Sequence, residues 1–381
     1  MVNFFDTLLN ISLIIVIITW LGYPVALYIL MFFFKKEGKG LGLSKENSVK
    51  SVAILVAVYN EENNIKQRID NLLSLNVPDN VCCYIYVLSD GSNDKTVEYA
   101  KLYGDQVLIR EFDRVGRAEM HNKTIQSINE DIVIFTDAET IFDRDFIKNI
   151  LMQFQDEKTG VVVGHLKYRN LNQTISESEG LYWKYERQLR RLENDLGILS
   201  NGTGAAMAVR KELCGPMNPG EDIDTAIPIQ MVIKNKKVVY EWSAIAYDNA
   251  IDNLNSSFVS KSRGAAQTIF CWKFFFRFPI FLLHPLILMS YIFHRLLRYL
   301  TFLFLLLMYI SIVYLGIFRS DLLDIAMLVV SSSMVSIILL VLYGKIEDSR
   351  ICSGLTSLVL SFAGMFIGLI KGFLGMSPSK Y

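Results

Sequence analysis

Two carboxylates one residue apart, Asp137 and Glu139, follow the apolar run at residues 131–135. In an extended segment such residues point to the same side, so both side chains can share one cation. A hard divalent cation held by few carboxylates is a common protein device for binding diphosphates. The pair therefore predicts a site for Mn²⁺ or Mg²⁺, although an isolated acidic pair also fits a solvated turn.

Short apolar runs alternate with amphipathic stretches between residues 51 and 248. This alternation indicates an α/β fold with a mostly parallel sheet flanked by helices. The carboxyl ends of strands in open sheets of this kind are where ligands bind. The predicted strands are residues 52–58, 84–88, 106–110 and 131–135.

Polar clusters follow the predicted strands. Tyr59 and Glu61 come after the first strand, Asp90 lies in the cluster at residues 89–94 after the second, and Arg117 follows the third. The chain contains no glycine-rich phosphate loop of the P-loop or dinucleotide type. We therefore expect phosphates to be held by a metal and by side chains such as Arg117.

Composition places the chain in a membrane. Its 381 residues have a net charge of zero, which implies no general attraction to nucleic acid. The apolar fraction is 52%, and it is concentrated in four uncharged stretches that are each long enough to cross a bilayer. These predicted spans are residues 8–34, 299–318, 325–344 and 351–370.

Basic residues predict the orientation of the spans. Lys35, Lys36 and Lys39 directly follow the first span and place its carboxyl end in the cytoplasm. The resulting topology has both termini outside and residues 35–298 inside. The five cysteines show no metal-ligand spacing, and a cytoplasmic location argues against disulfides. The four histidines are scattered, and we interpret each as structural or interfacial.

Four segments together resemble a membrane-bound, family 2 inverting glycosyltransferase with a GT-A-type nucleotide-binding fold. They are residues 56–62, 87–96, 116–118 and 135–140. Two positions depart from the family pattern: Arg117 replaces a lysine, and Glu139 replaces an aspartate, so that Asp137 is the safer metal ligand. The resemblance implies a nucleotide-sugar donor, Asp137 and Glu139 at the metal, and donor contacts from Ala57, Tyr59, Glu61, Asp90, Arg117, Asp137 and Ala138.

The resemblance also implies a catalytic base. Transfer with inversion needs one carboxylate to take the proton from the acceptor hydroxyl. Residues 220–228 supply the acids, and their local Glu-Asp pair nominates Asp222. Counting back from residues 236–241 nominates Asp224 instead, and this longer register is harder to match by chance.

A second family motif is not intact. Residues 258–267 stand where processive synthases of the family carry a Gln-x-x-Arg-Trp box, and its absence weakens a processive interpretation. Arg263 remains a candidate diphosphate contact. Residues 274–297 are apolar but broken by Pro279 and Pro285, which is typical of an interfacial helix.

These observations predict four regions: an anchor at 1–36, a cytoplasmic glycosyltransferase domain at 48–250, a membrane-interface segment at 251–298 and a transmembrane bundle at 299–381. The leading hypothesis is transfer from a uridine diphosphate sugar to a lipid-linked or growing glycan. A processive polysaccharide synthase coupled to export is one alternative, and a nucleotide-binding transporter is another. The uncharged spans argue against ion coupling. The bilayer, a second copy of the chain and polysaccharide-assembly proteins are the expected partners.

Overall fold

The computed structural model describes residues 1–34, 49–169, 174–249, 254–275, 284–342 and 350–376. Within these ranges the centre of the molecule is one eight-stranded sheet. The strands are β1 Ser51–Val58, β2 Cys82–Asp90, β3 Leu108–Phe112, β4 Ile132–Asp137, β5 Ile141–Phe142, β6 Thr159–Arg169, β7 Met207–Arg210 and β8 Lys237–Asn249.

The helices flank this sheet or form the membrane part. A π-helical turn, Ile18–Gly22, joins α1 to α2, and a second one, Ser290–Leu296, joins α10 to α11. The α-helices are α1 Val2–Ile17, α2 Tyr23–Phe34, α3 Ile65–Leu73, α4 Thr96–Lys101, α5 Arg117–Ser127, α6 Phe146–Gln153, α7 Thr174–Asp195, α8 Ile223–Ile233, α9 Leu254–Phe275, α10 Pro285–Met289, α11 Leu297–Tyr299, α12 Thr301–Phe318, α13 Leu322–Leu342 and α14 Arg350–Phe373.

The sheet is mixed, in the order β3-β2-β1-β4-β7-β6-β8-β5. Its first four strands are parallel, whereas β7 runs antiparallel to both β4 and β6. All four predicted strands are confirmed. The third begins two residues later than expected because Gly104–Gln106 forms a 3₁₀ turn. The predicted fold class is also confirmed, with two antiparallel strands as additions: β7, and β5 beside β8.

Burial of β1 explains its central place. Seven of its eight residues are buried, as an apolar strand covered by helices on both faces requires. The chain leaves β1 first toward β2 and β3 and later returns to pair β4 on its other side. This reversal of strand order opens a crevice beyond the carboxyl ends of β1 and β4, the usual ligand position in such sheets.

Four helical stretches are long and apolar enough to cross a membrane. They are Val2–Phe34, Thr301–Phe318, Leu322–Leu342 and Gly354–Phe373, which confirms the four predicted stretches as candidate spans. Lys35, Lys36 and Lys39, on which the orientation depends, lie outside the described residues. Residues 276–283 of the predicted interfacial helix also lie outside them.

Close packing joins α9 of the interface segment to the last candidate span, α14. Three glycines of α14, spaced four residues apart, face α9 without room for a side chain. A Cβ on Gly368 would lie 2.1 Å from the backbone oxygen of Ser262, and one on Gly364 would lie 2.8 Å from that of Phe258. Small residues that let helix backbones approach are a common source of stability in membrane helix pairs.

We predict that Gly368→Ala separates α9 from α14 and destabilises the chain. Overpacking of this kind costs about 1–3 kcal/mol. Gly264→Ala is the matched control on α9, because a Cβ there meets nothing within 4 Å. Thermal unfolding of the purified chain in detergent should show a lower midpoint for Gly368→Ala and an unchanged or higher one for Gly264→Ala. Equal midpoints for the two variants would contradict this packing.

Candidate active site

The loops that follow β1 and β2 are joined to each other. The amide of Asn60 donates to the Ser92 hydroxyl at 3.1 Å, and the amide of Asn93 donates to the Asn60 side chain at 2.9 Å. The amide of Glu61 donates to the Thr96 hydroxyl at 2.7 Å. Asn60 has a φ of 55°, a conformation that asparagine tolerates better than most residues. The two predicted nucleoside loops therefore form one surface.

Asp90 ties the third loop to this surface. Its buried carboxylate accepts the backbone N–H of Gly116 at 3.1 Å. Gly116 has a φ of 89° and is the residue before α5, so a side chain at this position would be strained. This bond explains why an aspartate is needed at the end of β2: it fixes the start of the helix that carries Arg117.

An ion pair between Arg117 and Asp137 lies in the crevice beyond β1 and β4. Both side chains are 31% exposed, so they are accessible to a ligand. Ala57 is the register partner of Asp137 on β1, and the small side chain leaves the carboxylate uncovered. Tyr59 lies against the guanidinium of Arg114, 3.6 Å from the ring centre. The predicted donor residues of these four segments thus converge.

Further carboxylates surround Asp137. Burial, together with the charges of Asp248 and Asp137, raises the pKa of Glu139 to about 7. Burial and the charge of Asp137 likewise raise the pKa of Asp248 to about 6. The pKa of Glu61 is raised first by burial and then by Asp137, against a hydrogen bond from Asn64. These acids crowd one another, which is the electrostatic setting that a cation relieves.

One buried cation partly offsets the crowding. The Arg68 side chain has no exposed surface and donates to Thr136 and Asn71, at 2.7 Å in each case. Burial lowers the pKa of Arg68 to about 9, whereas the charges of Asp137 and Asp248 favour the protonated form. Arg68 therefore fixes the end of β4 and supplies positive charge from behind the acids.

Asp224 approaches the same ion pair from α8. Its carboxylate accepts the backbone N–H of Gly204 at 2.5 Å, and its backbone oxygen accepts that of Gly202 at 2.7 Å. A Cβ on Gly204 would lie 2.6 Å from the Asp224 carboxylate and 3.7 Å from Arg117. Glycine is required here because the loop backbone passes between the acid and the guanidinium.

Asp222 begins α8 as its N-cap and accepts the Thr225 amide at 2.9 Å. Burial and the charge of Asp224 together raise the pKa of Asp222 to about 7. The Cys271 thiol of α9 lies 3.7 Å from the same carboxylate. Asp222 therefore faces the membrane-interface helix, while Asp224 faces Arg117.

Two predicted features are not found in this arrangement of residues. Arg263 is exposed on α9, and in the part of the chain that the structure describes no hydrogen bond or ion pair joins it to the crevice. Within the described ranges, no three His, Cys, Asp or Glu side chains form a metal-binding group. The small residues of 201–210, Gly204 among them, predict a close approach of backbone to a ligand, whereas sequence reasoning missed Arg68 and Asp248, which come from distant segments and carry no motif of their own.

The chain is similar in sequence to a known family and to known proteins. Residues 53–215 match the family model described as Glycosyl transferase family 2. The chain is 23% identical over 290 residues to a poly-beta-1,6-N-acetyl-D-glucosamine synthase of Staphylococcus aureus, covering 69% of each protein. It is 25% identical over 207 residues to the synthase of the same description from Staphylococcus epidermidis, covering 50% of this chain and 49% of the relative.

A solved structure shares the fold over nearly the whole chain. It is a mannosyltransferase from Pyrobaculum calidifontis in complex with GDP-Man and Mn²⁺. The TM-score is 0.68, the identity is 16%, and the match covers 97% of this chain and 99% of that one. The similarity at this identity concerns the fold alone.

We predict that Arg68→Met lowers the free energy of unfolding by about 3 kcal/mol, because it removes a fully buried cation from beside the crowded, partly buried Asp137 and Asp248. Arg68→Lys keeps the charge but reaches only one of Thr136 and Asn71, so its loss should be intermediate. The midpoint of thermal unfolding in detergent should fall from the wild type to Arg68→Lys and further to Arg68→Met. A methionine variant as stable as the wild type would contradict the role given to this cation.

Proposed function

Residues 53–215 form a family 2 glycosyltransferase domain, and from this premise we propose a membrane-anchored, metal-dependent transferase that inverts the anomeric centre. Its donor is a uridine diphosphate sugar, and its acceptor is a lipid-linked or growing glycan at the cytoplasmic face. One observation carries the proposal: the Gly204 backbone lies between Arg117 and Asp224, so donor-side and acceptor-side groups are contiguous.

The joined loops after β1 and β2 are suited to the nucleoside. Tyr59 offers an aromatic face beside Arg114, and Glu61 and Asp90 hold the loops in register. Arg117, at the first turn of α5, is placed to contact the diphosphate, where its planar fork can make two parallel hydrogen bonds. The positive end of the α5 dipole adds to this attraction for an anion.

A divalent cation fits the acids of the crevice. Asp137 and the exposed Glu139 are both accessible carboxylates, and Asp248 stands close enough to share their field. A cation bound mainly by diphosphate oxygens needs only one or two protein carboxylates, so a three-residue cluster is not required. When bound, such an ion neutralises the negative charge of the departing diphosphate.

We assign proton abstraction to Asp222 and a positioning role to Asp224. A general base works best with a pKa near the working pH, and burial beside Asp224 gives Asp222 that property. Asp224 instead holds the Gly202 and Gly204 amides. In the reaction, Asp222 takes the proton of the acceptor hydroxyl, whose oxygen bonds to the anomeric carbon as the bond to the diphosphate breaks. This assignment reverses the preference from sequence register.

The membrane part is proposed to present the acceptor. The α9 helix, whose Cys271 approaches Asp222, packs against the last candidate span. The regions 1–36, 48–250, 251–298 and 299–381 are proposed as anchor, catalytic domain, interface segment and bundle, and the positive-inside pattern supports a cytoplasmic catalytic domain.

A processive synthase is the second candidate, because the staphylococcal relatives carry that description. Mass spectrometry of the product made from labelled donor and short acceptor separates the two. A single added sugar at all incubation times supports stepwise transfer, and long chains formed while most acceptor stays unextended support processive synthesis.

We predict that Asp137→Asn lowers transfer of labelled sugar by about 100-fold, because it removes an accessible carboxylate and the partner of Arg117. Asp105→Asn is the matched control, since it makes the same charge change at an exposed turn. Transfer from a panel of nucleotide sugars, with Mn²⁺ or a chelator, measures the effect. Full activity of Asp137→Asn would rule out the proposed metal and donor site.

We predict different losses for the two acids of α8. Asp222→Asn should lower kcat by about 10²–10⁴-fold, whereas Asp224→Asn keeps an acceptor for the Gly204 amide and should lose far less. For the wild type, kcat/KM should rise with pH through about 7, since only deprotonated Asp222 accepts a proton. A larger loss of kcat in Asp224→Asn than in Asp222→Asn, together with a rise of kcat/KM with pH that persists in Asp222→Asn, would identify Asp224 as the base.

A further inference from the structure

A buried group of ionised side chains connects the first candidate span to the loop that holds Asp224. The group, here called the α7 cluster, is not used by the proposed chemistry. All of its members are at most 7% exposed. They are Glu186, Arg190 and Glu193 of α7 with His294 and Arg298 of the segment before α12.

Glu193 makes the hydrogen bonds at the membrane side of this network. One of its carboxylate oxygens accepts the Tyr23 hydroxyl of α2 at 2.7 Å and the Ser290 hydroxyl at 2.7 Å. The same oxygen lies 2.8 Å from Nδ1 of His294. The hydrogen bonds to Glu193 therefore join the first candidate span, α7 and the segment that leads into α12.

Glu186 extends the network through its contacts with His294 and Arg298. Its Oε2 lies 3.1 Å from Nε2 of His294 and accepts Nη1 of Arg298 at 2.7 Å. Burial alone would raise the pKa of Glu186, but His294 and Arg298 hold it well below its usual range. The two ring nitrogens of His294 thus lie between the carboxylates of Glu193 and Glu186. Removing any one of these charges leaves another buried and unpaired.

Arg190 connects the network to the active site. Its Nε donates to the second oxygen of Glu186 at 3.0 Å, and its Nη1 donates to the Thr203 hydroxyl at 2.8 Å. Thr203 stands between Gly202 and Gly204, whose amides both donate to Asp224. A guanidinium fixed by Glu186 thus clamps the middle of a loop whose two ends hold Asp224.

We propose that Arg190 is a positioning residue: through Thr203 it sets the placement of Asp224 beside Arg117, and it does so only while the α7 cluster is held by Tyr23 of the first span. The functional consequence rests on the proposed transferase activity. Insertion of the first span then contributes to the rate of transfer, and not merely to attachment to the bilayer. Misplacement by about 1 Å of a group in an active site costs about 100-fold.

A cluster that only fastens the domains together predicts a different behaviour. It would respond to substitution with a loss of stability, whereas the loop amides and the kinetic constants of the folded protein would not change. The test therefore uses Thr203→Val, which removes the hydroxyl that accepts from Arg190 and leaves every buried charge paired. Thr203→Ser is the matched control, because it restores a hydroxyl at the same position.

Hydrogen exchange on the full chain in detergent gives a readout that does not depend on activity. The Gly202 and Gly204 amides should exchange about tenfold faster in Thr203→Val and in Tyr23→Phe, and at the wild-type rate in Thr203→Ser. Unchanged exchange in Thr203→Val would overturn the proposed clamp. Unchanged exchange in Tyr23→Phe alone would overturn its link to the first span.

Kinetics then tests the consequence for transfer. Thr203→Val should lose about tenfold in kcat with an unchanged KM for the donor, and Thr203→Ser should recover it. A kcat within twofold of the wild type would overturn the positioning role. If the wild-type chain transfers no sugar from any donor while exchange behaves as expected, the proposed function fails and the positioning of Asp224 stands.

Discussion

Repulsion among carboxylates at the carboxyl edge of the sheet is the constraint on which the rest of this structure depends. At this edge burial raises the pKa values of Glu61, Glu139 and Asp248, and the charge of Asp137 raises them further. A protein pays for such crowding with stability unless cations compensate it. Here Arg117 compensates from the solvent side and Arg68 from within the core.

The positions of several other groups follow from this arrangement. Asp90 fixes the backbone of Gly116 so that Arg117 begins a helix at the correct edge. Gly204 lets a loop pass between Arg117 and Asp224. The α7 cluster then holds the middle of that loop from the membrane side through Arg190. Each contact brings a charged group to the crevice from a different part of the chain.

The strands, and the site residues that directly follow them, were predictable because their signals are local. An apolar run followed by polar residues predicts both a strand and the edge at which it ends, and this placed Asp90, Arg117 and Asp137 correctly together. The four candidate spans were predictable for the same reason, from uninterrupted apolar stretches alone.

The remaining groups were not predictable because they depend on contacts across the sequence. Asp248 joins the acids through the antiparallel pairing of β8 with β5, the strand that follows Glu139. Histidines looked scattered, yet His294 lies between Glu186 and Glu193, more than a hundred residues away in the chain. The partners of a buried charge have no fixed spacing, so no pattern along the chain identifies them.

The most direct test of the acid-crowded crevice as a cation-dependent diphosphate site is calorimetric titration of UDP, and in parallel GDP, into the purified full chain. The titration is made with Mn²⁺ and again with a chelator. Since a bound cation contributes several kcal/mol to charge stabilisation, at least one nucleotide should bind about tenfold or more tightly with Mn²⁺. Equal affinities for both nucleotides under the two conditions would contradict the account.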